Sequence, residues 1–576
     1  MSSRYITTPI YYVNDRPHMG HAYASVHADV MARYLRAAGH EVFLLTGADE
    51  HGEKIARAAA QAGEAPAAFV ARHARHFEAA WRALGVAPDY FVHTTEPAHQ
   101  AVVQRTLQRL YDAGEIYLAE YRGRYSVGQE RFVTDKELVD GKLPEDKDPP
   151  VERTEVNYFF RMERHREWIR ELLLARPGMI EPPSYRNEIR QLLDEPIGDL
   201  SISRPASRLS WGIPIPWDPA HVTYVWFDAL LSYLSPLGYA AGAAAVGGDV
   251  GNVRDIGDVK GIGNVGGVGG VGGVGGVGGV GGVGGVGGVG DRGDGSNKDG
   301  ASNAHADTSL FERFWPSAAH VIGKDILRTH TLFWLSMLHA MDVAPYRRLH
   351  VSGHLLGADG RKMSKSLGNG VDPLEAVHRY GADVLRYTLV REVSFGFDGI
   401  ISHAVIEQRL TRDLADDLGN LASRTLAMIR RYRQGVVPAA THYTSTEHAI
   451  VERVAALPAQ VLDLVEDLRL AQATELVMEF VRHLNRYVAS AAPWELAKSP
   501  AGGARLDTVL HTVVEALCAV GDLLAPVMPV KMRELHGLLG LDGTPAWARA
   551  WGSGVPPGTR IREAVLFPKP PAATPA

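Results

Sequence analysis

Residues 4–52, RYITTPIYYVNDRPHMGHAYASVHADVMARYLRAAGHEVFLLTGADEHG, decide the fold of this chain. Tyr5-Ile6-Thr7 opens extended, and a polar loop over 9–21 with Pro9, Asn14 and Pro17 follows. Between about 21 and 38, Val30, Met31, Tyr34 and Leu35 recur at helical spacing, and Gly39 stops the helix. Residues 41–46 (EVFLLT) form a short apolar strand that ends in the loop 47–52. Helices over about 53–62 and 66–84 and a strand at 90–94 continue the pattern. Strands alternating with helices predict an α/β unit, a parallel sheet covered on both faces. Ligands of such sheets gather at the carboxyl ends of the strands. Both polar loops lie there.

Outward from this stretch, the first unit is expected to reach residue 116, and 117–180 breaks into short strands and turns, read as an inserted subdomain. Its second half resumes over 181–240 and 309–350, with VTYVWFDALLSYLS at 222–235, strands at 319–322 and 350–353 and a helix at 326–341. A glycine-rich region at 351–404 follows. Residues 405–566 read as a separate, almost wholly helical domain, with helices near 405–434, 446–467, 470–489, 494–498 and 507–537, and 567–576 is a Pro-rich tail. The stretch 241–308 differs in kind: from 265 to 290 it repeats Val-Gly-Gly. Glycine loses the most backbone entropy on folding, and a valine every third residue builds no core, so a flexible surface insertion is expected.

The 576 residues suggest about three domains. With 60 Lys+Arg against 66 Asp+Glu the net charge is −6, which leaves nucleic acid open because binding depends on a local basic face. No run approaches the ~18 apolar residues of a membrane span. The N-terminus lacks a basic-then-apolar signal design, so a cytoplasmic location without membrane association is expected. The single cysteine, Cys518, excludes an intrachain disulfide and any site built on two thiolates.

Two motifs carry chemistry. His18-Met19-Gly20-His21 falls after a strand and at a helix start. Gly20 permits close approach to the backbone, helix-start amides attract phosphate, and two imidazoles hydrogen-bond a phosphate as its charge rearranges. Alone, the tetrapeptide reads equally well as solvated helix-capping histidines. Arg361-Lys362-Met363-Ser364-Lys365-Ser366 lies on a loop with Gly353, Gly357, Gly360, Gly368 and Gly370. Two lysines three apart there suit a departing polyphosphate, and alone they read as a solvated basic turn.

HxGH after the first strand and KMSKS about 340 residues later resemble the paired signature of class I aminoacyl-tRNA synthetases. The detail resembles the methionine-specific family within that class. The resembling stretches are 9–21, 46–54, 157–161 (NYFFR), 224–233, 320–334, 353–369 and 420–424, in order along nearly the whole chain. The resemblance implies a Rossmann-like catalytic domain with an inserted connective (knuckle) subdomain, followed by an all-α helical-bundle anticodon-binding domain. It implies activation of L-methionine by ATP with Mg²⁺ to methionyl-adenylate, then transfer to the terminal adenosine of tRNA(Met). His18, Gly20, His21, Gly353, Lys362, Lys365 and Ser366 would hold ATP, with His18, His21, Lys362 and Lys365 catalytic.

Methionine needs an apolar, aromatic site with a few polar anchors. Trp226, Ala229 and Tyr233 fall at i, i+3 and i+7, and Ile326 and His330 at i and i+4, so each set shares a face if helical. Plain core aromatics would show the same spacing. By resemblance Asp49 and the backbone near Ile10 hold the amino group, Tyr233 and His330 lie near the sulfur, and Trp226 and Tyr12 form walls. Many relatives bind zinc in the knuckle through cysteines. The aligned positions here are Ser126, Gln129, Leu143 and Asp146, so no structural zinc is expected; a metal-free knuckle would be packed on Tyr125, Phe132 and Leu138. Asn420, Arg424 and Trp494 would read the anticodon, with Trp494 stacking on a base. A dimerisation module is not recognisable after about 567, so a monomer is expected. The competing readings are a nucleotidyltransferase, which would need no helical domain, a silent tRNA-binding paralogue, which would show broken motifs, and another class I synthetase.

Overall fold

The computed structural model describes residues 2–126, 131–133, 138–143, 148–239, 310–363, 369–543 and 545–569. The Val-Gly-Gly stretch lies outside them. Six strands, β1 (Ser3–Tyr12), β2 (Glu41–Asp49), β3 (Tyr90–His93), β4 (Ile180–Glu181), β5 (Ala319–Gly323) and β6 (Arg348–Ser352), form one sheet. Their spatial order is β3-β2-β1-β5-β6-β4, and all neighbours are parallel. The helices α1 (Met19–Ala37), α2 (Glu53–Ala62) and α3 (Pro66–Leu84) follow β1 and β2. Along β2, Val42 and Leu44 enter the core shared with α1 and α3, while Phe43 and Leu45 enter a second core on the opposite face. A sheet buried on both faces gives the unbroken apolar run of 42–45. Each fully buried leucine there is worth roughly 1.5–3 kcal/mol.

Strand β1 runs through Pro9 to Tyr12, beyond the loop boundary expected at residue 9. Its register against β2 shifts between Thr7 and Ile10, where Pro9 supplies no N–H, and pairing then resumes to Tyr12↔Asp49. The bulge carries Ile10 and Tyr12 past the sheet's core and up to its carboxyl edge.

A separate antiparallel sheet is built on the long pairing of Ile116–Ser126 with Val151–Phe160, and takes further strands at Arg131–Val133 and Leu200–Ser201. Helix α4 (Val225–Leu231) follows, and its Val225, Phe227, Leu230 and Leu231 enter the second core. The helix expected at 326–341 is instead a short 3₁₀ turn (Lys324–Ile326), a π-helical segment (Thr329–Phe333) and an α-helix (Trp334–Ala340). Side chains interrupt the regular ladder there: the Thr331 hydroxyl donates to the Leu327 carbonyl, and the Tyr346 hydroxyl to the His330 carbonyl.

The remaining helices include α5 (Ala382–Glu392), α6 (Asn420–Arg433), α7 (Ser445–Glu466), α8 (Leu470–Ala491), α9 (Gly503–Leu524) and α10 (Pro529–Leu538). The single helix expected at 507–537 is two, because Pro526 and Pro529 cannot continue one hydrogen-bond ladder. Arg386 of α5 is fully buried; it binds Asp29 of α1 at 2.7 Å and the carbonyls of Pro526 and Val527 at 2.9 Å. The helical region is thereby tied to the first helix after β1. Among the described residues no helix is long and apolar enough to cross a membrane.

Candidate active site

The carboxyl ends of β1, β2, β5 and β6 open into a cavity of about 820 Å³. His18 is the N-cap of α1, with extended backbone at φ −119°. Its Nδ1 accepts the Gly20 N–H at 3.1 Å, and the His18 N–H donates to Nδ1 of His21 at 3.3 Å. The two rings stack with centroids 3.5 Å apart. Both Nδ1 atoms act as acceptors, so in the neutral imidazoles each proton sits on Nε2. A Cβ on Gly20 would lie 3.1 Å from the His18 ring, so glycine lets this capping histidine fold back over the helix start.

Lys362 lines the same cavity as His18 and His21, and its Nζ binds Asp325 at 3.0 Å. Half of the Lys362 side chain and more than half of Asp325 are exposed, so the pair is weak and exchangeable. Lys365 and Ser366 lie outside the described residues. Gly353 also lines the cavity, and a Cβ there would come within 2.2 Å of the Phe397 backbone. This glycine is required by backbone packing as well as by any ligand.

Ile10, Tyr12, Asp49, Trp226, Ala229, Tyr233, Ile326 and His330 all line the cavity too. Helix α4 ends at Leu231, so Tyr233 sits in the turn beyond it rather than on a continuous helical face, and the Tyr5 hydroxyl donates to its carbonyl at 2.8 Å. The hydrogen bond from His330 Nδ1 to the Ile326 carbonyl (3.0 Å) leaves Nε2 to accept the Tyr233 hydroxyl at 2.8 Å. Burial holds the His330 pKa down at about 4, so the ring is neutral at pH 7. Tyr233 and His330 are 2% and 1% exposed. This end of the cavity is buried and fixed by hydrogen bonds, and its charged groups are the buried Asp49 carboxyl group and Lys54, whose Nζ lies 5.8 Å from the Tyr12 ring centroid.

Sequence reading missed Asp325, His354 and Asp372, which line the cavity beside Lys362. The adjacency of Asp325 to Ile326 was the available signal. The loop after β2 is anchored residue by residue: Glu50 receives His93 Nδ1 at 2.8 Å, and Glu53 receives Arg208 at 2.6 Å.

At the knuckle, Ser126 and Leu143 are buried, whereas Gln129 and Asp146 lie outside the described residues. A hydrocarbon side chain at one ligand position does not fit zinc. Tyr125 packs there against the guanidinium groups of Arg153, Arg208 and Arg204, 4.3, 4.6 and 5.4 Å from its ring centroid. Among the described residues, Cys518, Asp522 and His536 form a close group of potential metal ligands. Asp522 is already held by Arg549 at 3.0 Å and the Ala546 N–H at 2.7 Å, and burial pushes the Cys518 thiol up to about 12. That donor set suits a packed polar cluster rather than an ion.

In the helical region Asn420, Arg424 and Trp494 are all exposed, and the Arg424 guanidinium lies 5.7 Å from the Trp494 ring centroid.

A parallel sheet with a stacked histidine pair and Lys362 lining one cavity at its carboxyl edge fits the class I tRNA synthetases. The family model "tRNA synthetases class I (M)" matches residues 4–148, 136–246 and 296–426. The methionine–tRNA ligase of Deinococcus radiodurans is 45% identical, over 98% of this chain and 74% of its own length. That of Streptomyces coelicolor is 35% identical over 98% and 96%. A solved structure, "Mycobacterium tuberculosis methionyl-tRNA synthetase in complex with methionyl-adenylate", superposes with a TM-score of 0.83 at 33% identity, covering 99% of this chain and 100% of that one. The chain belongs to the methionine–tRNA ligase family. Its reaction activates L-methionine with ATP, releasing pyrophosphate, and transfers the methionyl group to tRNA.

Proposed function

We propose that the one cavity runs the activation step with methionine at its Tyr233–His330 end and the triphosphate of ATP, carrying Mg²⁺, between the His18–His21 pair and the lysine loop. The supporting observation is that His18, His21 and Lys362 line the same cavity as Asp49, Trp226, Tyr233 and His330. Asp49 pairs with the α-ammonium, the Trp226 and Tyr12 rings enclose the thioether, and the methionine carboxylate attacks the α-phosphorus. The bond to the β-phosphate breaks as the two histidine Nε2–H groups stabilise the α-phosphate oxygens. Lys362 leaves Asp325 to neutralise the departing pyrophosphate, together with Lys365. A hydroxyl of the terminal adenosine then attacks the activated carbonyl and AMP leaves. No side chain forms a covalent bond; positioning and charge stabilisation supply the rate.

Arg424 and Trp494, with Asn420 one turn away, form the surface that reads the anticodon of tRNA(Met), Trp494 stacking on a base. The enzyme acts as a cytoplasmic monomer and without structural zinc. One methylene changes binding by only ~1–3 kcal/mol, so homocysteine is the foreseeable misactivated substrate. The test is methionine-dependent pyrophosphate exchange by Lys365→Ala: a large fall in rate with an unchanged melting temperature is expected, and wild-type exchange would remove Lys365 from the step.

A further inference from the structure

His51 and Asp228 are 177 residues apart in sequence and meet in the interior, His51 Nδ1 lying 2.8 Å from Asp228 Oδ2. Their exposures are 4% and 0%. Neither lines the active-site cavity, but their chain neighbours do. Asp49 lies two residues before His51; Trp226 and Ala229 flank Asp228 on α4. Each partner thus belongs to a different wall of the amino-acid end: one to the β2 loop that presents Asp49, the other to the helix that presents the Trp226 ring.

The surroundings hold the His51 side of the pair. The Trp211 ring lies 5.6 Å from the His51 ring, and Trp211 Nε1 donates to the Glu50 carbonyl at 2.6 Å. Beyond Gly52, which turns the chain with φ +112°, α2 begins. A hydrogen bond between two buried ionisable groups is directional, and deleting one partner leaves the other unsatisfied in a medium that does not hydrate it. Such a contact tolerates little sliding of one wall against the other.

We infer that His51 and Asp228 are positioning residues that set the distance between the Asp49 wall and the Trp226–Ala229 wall, and with it the fit of the pocket to methionine. The inference rests on the pocket reading given under Proposed function. It concerns binding of the amino acid alone; the triphosphate end of that reading is built from α1 and the lysine loop.

The experiment measures KM for methionine and for ATP in pyrophosphate exchange, alongside melting temperature. Asp228→Ala is expected to raise the methionine KM about tenfold or more and leave the ATP KM within about twofold. Asp228→Asn is expected to restore most of the loss, because the amide oxygen still accepts from Nδ1–H. If Asp228→Ala does not fold, His51→Leu decides: it keeps bulk, deletes the donor and should raise the methionine KM selectively. An unchanged methionine KM, a parallel rise in both constants, or no rescue by asparagine overturns the inference. Tyr233→Phe is the control. If it raises the methionine KM while the pair's variants do not, only the inference falls; if it too has no effect, the pocket reading falls and the inference with it.

Discussion

The two ends of the cavity are built on opposite principles. At the end proposed for methionine, Tyr233, His330 and Asp49 are buried, and the Tyr233 and His330 hydrogen bonds have backbone or side-chain partners. At the end proposed for the triphosphate, His18 is exposed, and the Lys362 ammonium is held by a half-exposed ion pair with Asp325. A small apolar substrate is selected by a shape that exists before it arrives, whereas a polyphosphate supplies enough charge to draw mobile cations onto itself. Rigidity therefore belongs where discrimination is made, and exchangeable contacts belong where a charged group must enter and leave.

This contrast breaks most visibly at His21. His21→Asn removes one of the two Nε2–H donors proposed for the reacting phosphate, and loss of one such donor costs about 10²–10³ in rate. The expected result in pyrophosphate exchange is a fall in kcat of that order with methionine KM little changed. A rise confined to methionine KM would place His21 at the wrong end. Tyr233→Phe should act in the reverse sense. It deletes a buried hydrogen bond worth about 1 kcal/mol and leaves His330 Nε2 unsatisfied, so methionine KM rises about tenfold while kcat changes less.

The smaller effect is on stability. Burial lowers His27 and His330 to about 4 and His99 and His350 to about 3, all from an ordinary value near 6.5. Between those values the unfolded chain binds more protons than the folded one, so stability falls as pH drops from about 6.5 toward 4. Melting temperature measured across that window should decline steadily, and should decline less in His350→Asn, whose site lies away from the cavity. A flat profile would show that these rings are hydrated and not buried.

Much of this was legible in the letters because it is local. HMGH announced a helix start, since a strand, a proline and a glycine stood in the right order, whereas the i, i+3, i+7 spacing of Trp226, Ala229 and Tyr233 assumed a helix that ends at Leu231. What was hidden depends on distant pairing. The sheet order places β5 beside β1, a neighbour more than 300 residues away in sequence. The Pro9 bulge extends β1 only because β2 continues beside it, and the π-helical segment at Thr329–Phe333 forms where Thr331 and Tyr346 claim carbonyls. The Asp325–Lys362 and His51–Asp228 contacts likewise join segments that periodicity treats separately. Ordinary-looking aspartates gain their meaning from what folds against them.

The most direct test of the single-cavity account is a crystal structure of the enzyme with a non-reactive sulfamoyl analogue of methionyl-adenylate. The account expects the thioether between Trp226 and Tyr233, the ammonium on Asp49, and the sulfamoyl group within hydrogen-bond reach of Nε2 of His18 or His21. An analogue bound with its amino-acid side chain away from Tyr233, or with its sulfamoyl group remote from both histidines, would contradict it.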